Sequence, residues 1–118
     1  MNKQGKDGLS KCPIEKTMMV IGGKWTFVIL RDLFMGPKRF GELEKSLQGI
    51  SPRTLSIRLK ELENEGIIKR AIYSTIPPHV EYSLTEKGQD LRPIFDEMKN
   101  WGNTWDILDL KENNEQHE

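Results

Sequence analysis

Ser51-Pro52-Arg53-Thr54-Leu55-Ser56-Ile57-Arg58-Leu59-Lys60-Glu61-Leu62-Glu63-Asn64-Glu65-Gly66, followed at once by Ile67-Ile68-Lys69-Arg70-Ala71-Ile72-Tyr73, is the stretch on which the fold turns. Serine is a strong N-cap, and proline at the first helical position gives up an N–H that has no partner there anyway. Leu55, Leu59 and Leu62 then recur at helical spacing, and Gly66 ends the pattern. Past Gly66 the period changes. Residues 67–73 are rich in β-branched and aromatic side chains, and Val80, Tyr82 and Leu84 alternate with Glu81 and Ser83. Between the two runs, Pro77 and Pro78 each lack a ladder donor, so Ser74-Thr75-Ile76-Pro77-Pro78-His79 reads as the stiff tip of a β-hairpin. A helix over 51–65 followed directly by a hairpin over 67–84 is the order of a recognition helix and its wing.

The flanking sequence agrees. Phe40, Leu43 and Leu47 mark a short helix, and Gln48-Gly49-Ile50 turns it into the helix at 51, the pattern of a helix-turn-helix. Upstream, Trp25, Val28, Ile29 and Leu33 form one stripe over 24–35, stopped by Gly36-Pro37. A first helix opens at Pro13 and breaks at Gly22-Gly23. Downstream, Thr85 caps a helix predicted over 86–109 with a kink at Pro93. Its apolar residues Leu91, Ile94, Met98, Trp101, Trp105 and Leu108 are spaced alternately three and four apart, the seam of a coiled coil, and predict a dimer interface. Residues 1–10 read as a flexible arm and 111–118 as a disordered tail, both polar and aperiodic. The expected class is α+β and mostly helical: one winged helix-turn-helix domain over 11–110, with a two-stranded hairpin wing and terminal dimerisation helices.

Composition narrows the function. The chain has 118 residues, 36% hydrophobic and 31% charged, enough for one domain. No apolar run approaches the ~18 residues of a membrane span, and the N-terminal stretch has no apolar core of a signal peptide, so a cytoplasmic location is expected. The single cysteine excludes an internal disulfide and a multi-cysteine metal site. There is no nucleophile–base pair, no phosphate loop and no metal-ligand cluster, so neither enzyme activity, metal nor cofactor is expected. Net charge is zero, but it is divided: residues 1–85 carry 14 Lys/Arg against 9 Asp/Glu, and residues 86–118 carry 4 against 9. The basic excess falls on the half with the helix-turn-helix, where local field rather than total charge meets phosphate.

With Leu55, Leu59 and Leu62 turned inward, the face of the 51–65 helix opposite them presents Pro52, Arg53, Ser56, Ile57 and Lys60, with Ser51 at its mouth. Arginine forks onto guanine O6 and N7, serine bonds a base edge or a phosphate, and isoleucine touches a thymine methyl. Glu61, Glu63 and Glu65 should point out of the groove. Lys69 and Arg70 at the wing base and His79 near its tip, with Lys38, Arg39 and Lys24, are the backbone-contact candidates. A symmetric homodimer would set two such helices ~34–36 Å apart on double-stranded DNA. The rival readings are a winged helix that only binds proteins and, more weakly, an RNA binder.

Several motifs in order carry a family resemblance: Cys12-Pro13-Ile14-Glu15-Lys16, Ile21-Gly22-Gly23-Lys24-Trp25-Thr26, Gly36-Pro37-Lys38-Arg39-Phe40-Gly41-Glu42-Leu43, Gly49-Ile50-Ser51, Leu59-Lys60-Glu61-Leu62-Glu63, Pro77-Pro78-His79-Val80-Glu81-Tyr82-Ser83-Leu84-Thr85 and Trp101-Gly102. Together they resemble the HxlR-type transcriptional regulators. The resemblance implies a winged helix, homodimers built from the terminal helices, and binding to palindromic operator DNA. It also draws attention to Cys12, since some members of that family sense oxidants or electrophiles through a cysteine at the matching position. Cys12 opens the first helix with Lys11 and Lys16 near it in sequence, an arrangement that favours a reactive thiolate. It is the redox-sensing candidate, with the effector unidentified.

Overall fold

The structure, a computed structural model, describes residues 12–105. The expected arm over 1–10, Leu108 and the tail over 111–118 lie outside the described residues. The elements are α1 (Pro13–Ile21), α2 (Thr26–Phe34), β1 (Lys38–Arg39), α3 (Phe40–Ser46), α4 (Pro52–Asn64), β2 (Ile68–Tyr73), β3 (His79–Leu84), α5 (Glu86–Gln89) and α6 (Arg92–Trp105). Among the described residues no helix is long and apolar enough to cross a membrane.

One core joins the helices to the sheet. Ile29, Leu30 and Leu33 from α2, Leu43 from α3, and Leu55, Leu59 and Leu62 from α4 meet Ile67, Ile68 and Leu84 of the hairpin. Each leucine of the α4 stripe is buried, as its spacing requires. The turn between α3 and α4 closes through Gly49, whose φ of +92° suits glycine and few other residues.

Two features differ from a plain reading of the sequence. First, the two-stranded hairpin expected as the wing is present as β2 and β3, and β1 adds a third strand, antiparallel to β3 with Lys38 opposite Tyr82 and Arg39 opposite Glu81, giving a sheet of order β1-β3-β2. Two residues are too short to show any alternation, so sequence periodicity could not reveal β1. Second, the helix expected over 86–109 is two helices. α5 ends at Gln89, and α6 begins at Arg92 with Pro93 in its first turn. Proline there forfeits an N–H that would be free in any case, so it starts a helix rather than kinking one. Leu91, in the joint, is 8% exposed and belongs to the core, not to the expected seam.

Phe95, which the heptad reading passed over, anchors α6. Its ring lies 5.5 Å from that of Phe27 and 5.3 Å, edge-on, from that of Phe34. Arg92 stacks over Phe34 at 4.9 Å and donates a hydrogen bond to the Phe34 carbonyl at the end of α2. A cation at a helix C-terminus offsets the exposed carbonyl dipoles.

Candidate nucleic-acid interface

The start of α4 is held by its own cap. The Ser51 hydroxyl accepts from the Thr54 N–H at 3.0 Å and donates to the Thr54 hydroxyl at 2.9 Å. With the three leucines buried, the structure puts Pro52, Arg53, Ser56, Ile57 and Lys60 on one exposed face of α4. Ile57, an apolar side chain with 42% of its surface free, stands one turn beyond Arg53 on that face.

The acidic residues of α4 are drawn off to other partners. Glu61 pairs with Arg58 at 3.1 Å and Glu63 with Arg70 of β2 at 3.8 Å. Arg58 is thereby turned toward the α1–α2 corner, where it lines a cleft with Gly22, Gly23 and Thr26. Lys87 donates to the Glu65 carbonyl at 2.8 Å and ties the end of α4 to α5.

In the wing, Lys69 and Arg70 are exposed at the base as expected, although Arg70 faces Glu63. His79 is built into the hairpin. Its ring stacks on Tyr73 at 4.9 Å, its Nδ1 lies 3.1 Å from the Thr75 hydroxyl, and its Nε2 lies 3.4 Å from Glu81. The Thr75 hydroxyl donates to the Pro77 carbonyl at 2.9 Å, so its oxygen is left to accept from Nδ1–H. The free tip is apolar, with Ile72 and Ile76 exposed. Lys38 and Arg39 occupy β1, and Arg39 heads α3, its N–H bonded to the Glu42 carboxylate at 2.8 Å. Lys24 is exposed over the Trp25 ring at 5.0 Å.

Away from this face, Ile94, Met98, Trp101 and Trp105 are exposed along α6, as an interface would need. α1 adds Ile14, Met18 and Met19, which periodicity had not singled out because that helix is apolar on several sides. Cys12 is the N-cap residue of α1 and partly exposed.

A helix-turn-helix with an exposed reading face and a strand pair directly behind it defines a winged helix-turn-helix protein. Residues 20–109 match the HxlR-like helix-turn-helix family. The chain is 47% identical over 96 residues to the HTH-type transcriptional regulator YdeP of Bacillus subtilis, covering 81% of this chain and 75% of that one. Among solved structures it resembles the redox regulator HypR in its reduced form, with TM-score 0.77 and 44% identity, covering 83% of this chain and 98% of the other. It likewise resembles the reduced transcriptional regulator YodB of B. subtilis, with TM-score 0.73 and 38% identity over 80% and 93% of the two chains. This chain belongs to the HxlR-like helix-turn-helix family.

Proposed function

We propose that the chain regulates transcription by binding duplex DNA as a homodimer, with α4 in the major groove and the wing on the flanking backbone or minor groove. The observation that carries this reading is the exposed row Arg53, Ser56, Ile57 and Lys60 on the second helix of a helix-turn-helix, in a chain whose relatives are HTH-type regulators. Arg53 and Ile57 supply base readout, while Lys60, Lys69, Lys38 and Arg39 supply phosphate contacts. The target is a pseudo-palindrome if the assembly is two-fold.

The test is binding to the protein's own upstream DNA across a salt series, with Arg53→Ala beside the wild type. Saturable, salt-dependent binding that loses about 1–3 kcal/mol of sequence preference in the variant supports direct readout. No binding at low salt would refute the DNA reading and favour a protein partner.

A second reading concerns Cys12. The HypR and YodB neighbours are described as a redox regulator and a transcriptional regulator, the latter solved also after diamide treatment. Cys12 is here the single thiol, at a helix start and partly exposed. Alkylation with iodoacetamide, in which the thiolate sulfur displaces iodide, should change DNA affinity in the wild type and leave Cys12→Ser untouched. Alkylated wild-type protein with unaltered affinity would end this reading.

A further inference from the structure

The helix α6 carries a hole and, one turn away, an exposed knob. The hole is a cavity of about 430 Å³ between α2 and the C-terminal half of α6. Phe27, Phe95 and Met98 wall it, and Lys99 stands at its rim. Gly102 opens onto it: a Cβ built there would meet nothing within 4 Å. No positive φ calls for glycine at 102, and glycine inside a helix weakens it. What glycine provides here is room, and no side chain among the described residues uses it.

The knob is tryptophan. Trp105 lies three residues beyond Gly102 and so on a neighbouring strip of the same face. It is 65% exposed, and Trp101 is 60% exposed. At about 150–250 Å² per aromatic side chain, the four indoles of two copies would leave roughly 350–650 Å² to be covered. A stable interface buries about 1,600 Å² in total. The indoles supply roughly a fifth to two-fifths of that, and Met98, Ile94 and Phe27 extend the same apolar face.

We propose that in the homodimer the Trp105 indole of each copy enters the cavity over Gly102 of the other. The inference rests on the homodimer reading above. Knob and hole on one helix are what a two-fold axis needs, because in an isologous contact each copy offers the other both halves. The occupant is a second copy rather than a small molecule, since the exposed indoles stand beside the opening and need cover of their own.

Sedimentation equilibrium of the full chain tests this, on wild type, Gly102→Leu, Trp105→Ala and the double variant. Gly102→Leu blocks the hole with a better helix former and leaves the protomer folded, which far-ultraviolet circular dichroism will confirm. Each single variant is expected to weaken dimerisation about 30-fold or more, the loss typical of a buried tryptophan anchor. The double variant is expected to be scarcely weaker than either, because both changes remove one contact. Singles without effect, or effects that multiply, would overturn the knob-in-hole contact while the dimer stands. A monomeric wild type at micromolar concentration would overturn the dimer itself.

Discussion

Replacing Gly88 by alanine sets two opposed effects against each other, and the structure decides the sign. Gly88 lies inside α5, where alanine is better than glycine by about 1 kcal/mol on helix propensity. A Cβ there would come within 2.2 Å of the Ile67 carbonyl oxygen, 3.0 Å of Leu84 Cδ2 and 3.3 Å of the Ile67 carbonyl carbon. Backbone cannot rotate aside, so α5 must move by roughly 1 Å to reach ordinary contact. That movement acts on the Thr85 cap, where Thr85 N–H donates to the Ile67 carbonyl at 3.0 Å and its hydroxyl accepts from Gly88 N–H at 3.1 Å. Losing a cap costs about 0.5–2 kcal/mol and overpacking about 1–3 kcal/mol. Strain wins, and Gly88→Ala should lose about 2–3 kcal/mol once the propensity gain is deducted. Thermal unfolding followed by circular dichroism, at one fixed protein concentration because association shifts Tm, should show a drop on the order of 10–20 °C. An unchanged or raised Tm would refute the argument, showing that α5 slides off the hairpin at no cost.

Ser51→Ala removes the acceptor for Thr54 N–H and should cost about 1 kcal/mol, read as a lower urea midpoint; an unchanged midpoint would mean that Pro52 alone fixes the start of α4. Phe95→Ala takes out the ring between Phe27 and Phe34 and should cost about 3–5 kcal/mol in the same assay. A loss under about 1 kcal/mol would show that α6 is held elsewhere. Glu63→Gln frees the Arg70 guanidinium and removes a negative charge beside the wing base. Binding to random-sequence DNA should tighten, and the slope of log K against log salt should steepen by up to about 0.9. Weaker binding would mean that Glu63 positions Arg70 for its phosphate.

The parts legible in the sequence are those governed by long, regular periods. The stripe Leu55, Leu59, Leu62 and the alternation Val80, Tyr82, Leu84 named both the reading helix and the wing, because burial on one face leaves its period in the chain. Three features were not legible, each for a physical reason. β1 is two residues long and has no period. The α5–α6 break turns on whether Pro93 sits within a helix or at the start of one, and either suits the same sequence. The heptad count selected Leu91 and missed Phe95, since α6 shows one strip to its own core and an adjacent strip outward, and spacing alone does not separate the two. At the interface, sequence placed Arg53, Ser56, Ile57 and Lys60 on one face, but not the ion pairs of Arg58 and Arg70, which depend on helix and strand meeting in space.

Those ion pairs also explain how a chain of zero net charge can present a basic surface. Glu61 is matched by Arg58 and Glu63 by Arg70. The two carboxylates of α4 are thus neutralised locally by neighbouring guanidinium groups. Among the described residues Arg53, Lys60 and Lys69 form no ion pair, and all three are exposed. A carboxylate left unpaired beside α4 would repel the phosphates over about a Debye length, ~8 Å at physiological salt; a paired one acts as a short-range dipole and does not. Of the acidic excess after residue 85, residues 86–105 carry only four Asp/Glu against three Lys/Arg, and the rest falls at 106–118, outside the described residues. On the reading helix, then, charge is divided by face: among the described residues Arg53 and Lys60 of α4 form no ion pair and are exposed, while Glu61 and Glu63 of the same helix are paired.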